Sequence, residues 1–309
     1  MKIFKLTIES TMIFNLSVET YEDKTHRRAP YYTLDKGKPA YFAVCPGCNN
    51  PIKLVNLYDK KVINEDKTPQ PLHARHRKGN VPNIAGYSQE KYDNCPLRKK
   101  NLFGNKIKEP NPEIRDKILK LVLDYPDILH RHIKDITNIN FSTRQFISMV
   151  VKFIETKGYY YQSINEFNLP YGFLYMQHSI RIINQYVKKD GDQTLPLTNT
   201  INKSAYFRIN NNQIIKLDEI KFAEISCYFT KHRKIKYSNE TVEFRITESK
   251  DNKTKVLLKE TLQMNQSDYI NELYKSKQEE KEYPTSTKIS NRDRLKNDIR
   301  RVLEQRNLL

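Results

Sequence analysis

Glycine is scarce in this 309-residue chain, with eight residues and no two of them arranged as G-x-G. Closely spaced glycines are what let backbone amides approach a pyrophosphate, so a dinucleotide-binding fingerprint is excluded. Neither G-x-x-x-x-G-K nor G-x-S-x-G occurs, which excludes a Walker phosphate loop and the nucleophile elbow of α/β-hydrolases. No apolar run reaches the roughly eighteen residues of a membrane-spanning helix. Lys5, Thr7 and Glu9 interrupt what would be the apolar core of a secretion signal. The expectation is a soluble protein of a reducing cytosol, where thiolates stay available to metals.

Acidic residues are also in short supply, 36 against 54 Lys and Arg, for a formal net charge of +18. Such an excess attracts polyanions through long-range fields and counterion release, which makes nucleic acid the leading partner class, DNA ahead of RNA. An anionic membrane ranks second, and the expectation is no membrane partner. A compositional bias toward Lys, Asn, Ile and Tyr would also raise the charge. The densest basic stretch runs from residue 71 to 108, where Arg75, Arg77, Lys78, Lys91, Arg98, Lys99, Lys100, Lys106 and Lys108 face only Glu90 and Asp93. Tyr87, Tyr92 and Phe103 lie among these charges, as stacking residues do in single-strand binders.

Cysteine is limited to four residues, yet three are spaced as ligands: Cys45-Pro46-Gly47-Cys48 and Cys95, with His73-Ala74-Arg75-His76 between them. A Pro-Gly turn lets both sulfurs face one point, with glycine expected to take a left-handed conformation. Cys95 and either His73 or His76 would complete a closed Cys3His set, suited to a structural Zn2+. A redox C-x-x-C would instead open a helix, and Pro51 followed by the strand-like Ile52–Leu57 argues against that. Ala40–Val44 runs into the turn, so a hairpin with a metal knuckle at its tip is expected. Cys227, inside the apolar run Ile225–Phe229, reads as a small buried hydrophobe.

Alternation at Phe4, Leu6, Ile8 and at Met12, Phe14, Leu16, Val18 predicts two half-buried strands. Asn111-Pro112 opens a helix that Pro126 ends or breaks, and Ser142-x-x-Gln145 caps another. A third is expected from Pro170 through Phe173, Met176, Ile180, Ile183 and Val187. The helix at 127–136, the turn Thr137–Phe141 and the capped helix after it have the outline of a helix-turn-helix, which would present Arg144. From residue 205 about five strands follow, then a helix capped by Ser290 with Arg300 and Arg301 on its outer side.

The fold expected is α+β: a zinc-stabilised β module at 1–110, a helical bundle at 111–195 and a β-rich domain with a terminal basic helix at 196–309. The metal candidates are Cys45, Cys48, His73, His76 and Cys95. The nucleic-acid candidates are Arg75, Arg77, Lys78, Arg98, Lys99, Lys100, Arg144, Arg300 and Arg301. A zinc-containing nucleic-acid-binding protein of a prokaryotic defence, mobile-element or transcription-control system is the reading that joins them. The competing readings are a Mg2+-dependent nuclease, with the E-x-K pair Glu219 and Lys221 beside Asp190 or Asp192, and a protein–protein adapter in a multi-subunit complex.

Overall fold

The structure, a computed structural model, describes residues 1–58, 69–98, 101–188, 195–217, 222–234, 239–282 and 290–308. Among these residues nine helices and four antiparallel sheets mix along the chain, an α+β architecture. The chain forms two compact units: residues 1–100 with 234–240 and 265–280, and residues 101–233 with 241–264 and 281–309.

In the first unit, β1 (Ile3–Phe4) pairs with β2 (Phe14–Asn15), and α1 (Val18–Thr25) follows. The two longer strands expected over residues 4–18 are thus reduced to two residues each, and Val18 starts a helix. The Ser17 hydroxyl accepts from the Thr20 amide, which supplies the N-cap. Tyr21 on that helix is fully buried and donates to the Phe42 carbonyl at 2.8 Å, so burial of one aromatic overrides the alternation. A four-stranded meander comes next, β3 (Tyr32–Asp35), β4 (Lys38–Val44), β5 (Pro51–Val55) and β6 (His73–His76), in that spatial order. The β4–β5 hairpin carries the Cys-Pro-Gly-Cys turn as expected. β6 adds the histidine segment to the sheet through the pairs Ile52↔His76, Lys53↔Arg75, Leu54↔Ala74 and Val55↔His73. A short helix, α2 (Gln89–Asp93), is capped by Ser88.

The second unit begins with α3 (Pro112–Asp124) and α4 (Pro126–Thr137), each with proline in its first turn, where a missing N–H costs nothing. After β7 (Ile139–Asn140) comes α5 (Thr143–Glu155), whose N-cap Ser142 accepts from the Gln145 amide. Asn138 takes the left-handed conformation between α4 and β7 (φ 56°), a place often filled by glycine. The long third helix does not form. α6 (Leu169–Tyr175) stops after two turns, and β8 (Ile180–Arg181) and β9 (Tyr186–Val187) replace its second half. His178 and Asn184 have positive φ there, and the Gln177 side chain donates to the Phe173 and Met149 carbonyls. The apolar spacing that suggests a helix is met by short strands that bury Ile180 and Val187.

After α7 (Leu195–Asn202), the five C-terminal strands are β10 (Phe207–Asn210), β11 (Gln213–Lys216), β12 (Glu224–Lys234), β13 (Glu240–Lys250) and β14 (Lys253–Gln263). They enter two sheets, ordered β10-β11-β9-β7 and β14-β13-β12-β8, so strands from the central segment complete both. α8 (Asp268–Glu282) then belongs largely to the first unit, where the Asn271 amide exchanges two 2.8 Å hydrogen bonds with the Ile13 backbone. α9 (Asn291–Gln305) returns to the second unit. Ser290 and Asp293 close a capping box at its start, and Ile299 and Leu303 are buried.

Candidate metal centre

Three separate segments supply the centre. The β4–β5 turn holds Cys45 and Cys48, the last residue of β6 is His76, and Cys95 follows α2. The ligand atoms of Cys45, Cys48, His76 and Cys95 all lie within 4.8 Å of one another. Cys45 Sγ and Cys95 Sγ are 3.7 Å apart, and Cys48 Sγ is 3.3 Å from His76 Nε2. A disulfide needs about 2.05 Å, so these thiols are unlinked. A tetrahedral zinc ion with Zn–S bonds of about 2.3 Å would space its sulfurs about 3.8 Å apart, close to the separation seen. The four residues can therefore hold one metal ion, and three thiols with one imidazole are a donor set that suits zinc and leaves no ligand position open.

His73 does not join them. It lies three residues from His76 on one strand, and an odd spacing sends the two side chains to opposite faces. His73 is buried and its Nδ1–H donates to the Pro71 carbonyl at 2.9 Å, while burial lowers its pKa.

The turn works differently from its sequence-based expectation. Gly47 is not left-handed; Asn49 is, at φ 59°. Gly47 is needed for space, since a Cβ there would stand 3.2–3.3 Å from Pro96 Cγ, Cys95 Sγ and Leu97 Cγ. The absence of a side chain is what lets the third cysteine approach the knuckle.

Asn50 is the residue that motif reading missed. It is fully buried, its Oδ1 accepts from the Ser88 amide at 2.6 Å, and its Nδ2 donates to the Ser88 carbonyl at 3.0 Å and to Cys48 Sγ at 3.4 Å. The Ser88 N–H can only donate, so it fixes the amide's orientation and aims Nδ2–H at sulfur. One side chain thereby joins the knuckle to the cap of α2, the helix that delivers Cys95. Tyr92 of α2 meets the His76 ring edge-on at 5.1 Å, and Arg98 lies over Tyr92 at 4.3 Å while pairing with Asp93 at 2.9 Å.

Contacts from the neighbouring Cys45 and Cys95 thiols, with His76 and Asn50, hold Cys48 well below the usual thiol range. Burial pushes Cys45 up. Contact with Cys45 lowers the Cys95 pKa, but the Cys48 contact and burial outweigh it and push the group up to about 12. Burial and mutual contact oppose ionising the three thiols together, and a divalent ion bound there would stabilise all three as thiolates.

The cationic candidates divide by partner. Arg75 and Lys78 are exposed and have no ion pair among the described residues. Arg75 stands directly opposite Lys53 on the sheet, a like-charge pair relieved on one side by the Lys53–Asp35 bridge at 3.1 Å. Arg77 forks the same Asp35 at 2.7 and 3.3 Å and lies over Phe42. Arg144 is exposed at the start of α5 and, among the described residues, also lacks an ion pair. The two α9 arginines are engaged within the fold, Arg300 with Asp124 at 3.4 Å and Arg301 with Asp298 at 2.9 Å. Lys99, Lys100, Asp190, Asp192, Glu219 and Lys221 lie outside the described residues. No described helix is long and apolar enough to cross a membrane.

No protein-family model, curated protein or solved structure matches the chain. The functional reading therefore rests on this geometry and on the charge of the chain.

Proposed function

We propose that this is a nucleic-acid-binding protein whose first unit is held together by one structural Zn2+ ion on Cys45, Cys48, His76 and Cys95. The observation that carries the metal half is the convergence of these four donors, from three segments up to fifty residues apart, to within 4.8 Å of one another. A closed four-ligand set serves folding rather than catalysis, because no position remains for a substrate or water. Supporting the nucleic-acid half, ligand His76 is flanked by Arg75 and Arg77, with Lys78 beyond, in a chain of net charge +18. The ion fixes the strand that displays Arg75, so loss of zinc and loss of binding should go together. DNA is the preferred target, and a role in prokaryotic defence, mobile elements or transcription control fits a small basic zinc protein.

The test is fluorescence anisotropy with labelled DNA and RNA across a salt series. The affinity should fall steeply as salt rises, and Arg75→Glu with Lys78→Glu should weaken it several-fold while the bound zinc is retained. Salt-independent binding, or binding unaltered by both reversals, would refute this assignment of the surface.

A further inference from the structure

The second unit contains a cleft of about 470 Å³ between α4, the start of α5 and the first half of α9. Its charged lining is Asp127, Arg131, Lys134, Arg294 and Asp298, with Thr143 at the α5 end. The volume is that of a small-molecule site. Its charge balance is set by which groups are already paired. Arg292, which is outside the lining, forks Asp127 through Nε at 2.7 Å and Nη2 at 3.1 Å, and Arg131 approaches the same carboxylate at 3.8 Å. Arg301, also outside the lining, holds Asp298 at 2.9 Å. Both carboxylates of the cleft are thus neutralised by arginines of α9. Lys134, half-buried, and Arg294, exposed, are left with no ion pair among the described residues. His130 adds no negative charge: its Nε2–H donates to the Phe141 carbonyl at 2.8 Å, the ring stacks on Phe146, and burial lowers its pKa.

We propose that this cleft binds the phosphate of a nucleotide unit through Lys134 and Arg294. A phosphate ester is the ligand class because it offers several acceptor oxygens to a planar guanidinium and an ammonium arriving from two different helices. The source is a nucleic-acid strand, which would give the protein a second contact independent of the metal centre. That choice of source rests on the function proposed above, whereas the phosphate chemistry of the cleft does not.

The experiment uses the zinc-loaded 309-residue chain, the double variant Lys134→Gln with Arg294→Gln, and the single exposed variant Arg294→Gln as a guard against misfolding, with melting curves for each. A labelled 12-nucleotide DNA strand is titrated across a salt series, and AMP is titrated separately. Loss of this one phosphate contact should lower the slope of log affinity against log salt by about 0.7 for a single strand in the double variant, and the single variant should lower it by part of that amount. AMP bound by the wild type and lost in the variants would confirm the cleft and name a free nucleotide as its source. Slopes and AMP binding unchanged in both variants would overturn the proposal. If strand binding still falls with Arg75→Glu and Lys78→Glu in that case, the proposed function survives and only the cleft is lost. If the wild type binds neither probe, both fall.

Discussion

Removing the Asn50 side chain tests whether the metal centre is built as described, because this residue touches the site without being a ligand. Asn50→Ala leaves the Ser88 N–H and C=O without their partner and withdraws the hydrogen bond from Cys48 Sγ. An abandoned buried polar group costs about 1–3 kcal/mol, and half-buried Ser88 should fall at the low end because water can reach it. The cost should appear in metal affinity, since Ser88 caps the helix that positions Cys95. Groups hydrogen-bonded to ligands are typically worth about 10–100-fold in affinity, or about 1.4–2.7 kcal/mol. Competition against a chromophoric zinc chelator at neutral pH should show a drop of that size for Asn50→Ala. Asn50→Asp should be worse, because it keeps an acceptor for the Ser88 amide but sets a carboxylate oxygen against the Cys48 thiolate. Affinities within twofold of wild type for both variants would refute the role given to Asn50.

Other consequences are as direct. Gly47→Ala inserts a methyl group 3.2–3.3 Å from Cys95 Sγ and the Pro96 and Leu97 side chains, so it should destabilise the first unit by about 1–3 kcal/mol in thermal melts; an unchanged melt would deny the close approach. Burial lowers the His130 pKa in the folded chain, so its contribution is fully present above the unfolded value of about 6.5 and is lost as pH falls through the folded value. The wild type should lose stability as pH falls below about 6.5, and His130→Gln, which can still donate to Phe141, should flatten that dependence; parallel pH curves would contradict it. Arg292→Ala breaks the two-point contact with partly buried Asp127 and should cost about 1–2 kcal/mol. Arg301→Ala removes only an exposed pair within α9 and should leave the melting temperature unaltered; equal effects of the two would show that α9 is not docked through Arg292.

Local signals were the legible ones. The Pro-Gly turn between two apolar runs, the Asn111, Ser142 and Ser290 caps, and the C-terminal strands each lie within a few residues of the chain and appear where the patterns put them. Choosing between His73 and His76 needs two facts outside a local window: the segment is a strand, so the two face opposite sides, and its register sets His76 opposite Ile52, at the knuckle end of the sheet. Asn50 was invisible because its partner Ser88 lies thirty-eight residues away. On the basic face of α9, the acidic partners of Arg292 and Arg300 are more than 150 residues distant, and pairing across that separation leaves no mark in a local window, whereas the Arg301 partner Asp298 is three residues away on the same helix. The helix expected beyond Pro170 failed for a different reason: apolar residues three and four apart serve a buried helix or consecutive short strands equally well, and length alone does not separate the two.

Elemental analysis of protein purified without chelators or added metal gives the zinc stoichiometry of the Cys45, Cys48, His76 and Cys95 centre. One zinc ion per chain is expected in the wild type and in His73→Ala, and none in His76→Ala or Cys95→Ser. Zinc-free wild-type protein, or zinc that depends on His73 and survives loss of His76, would contradict this ligand set.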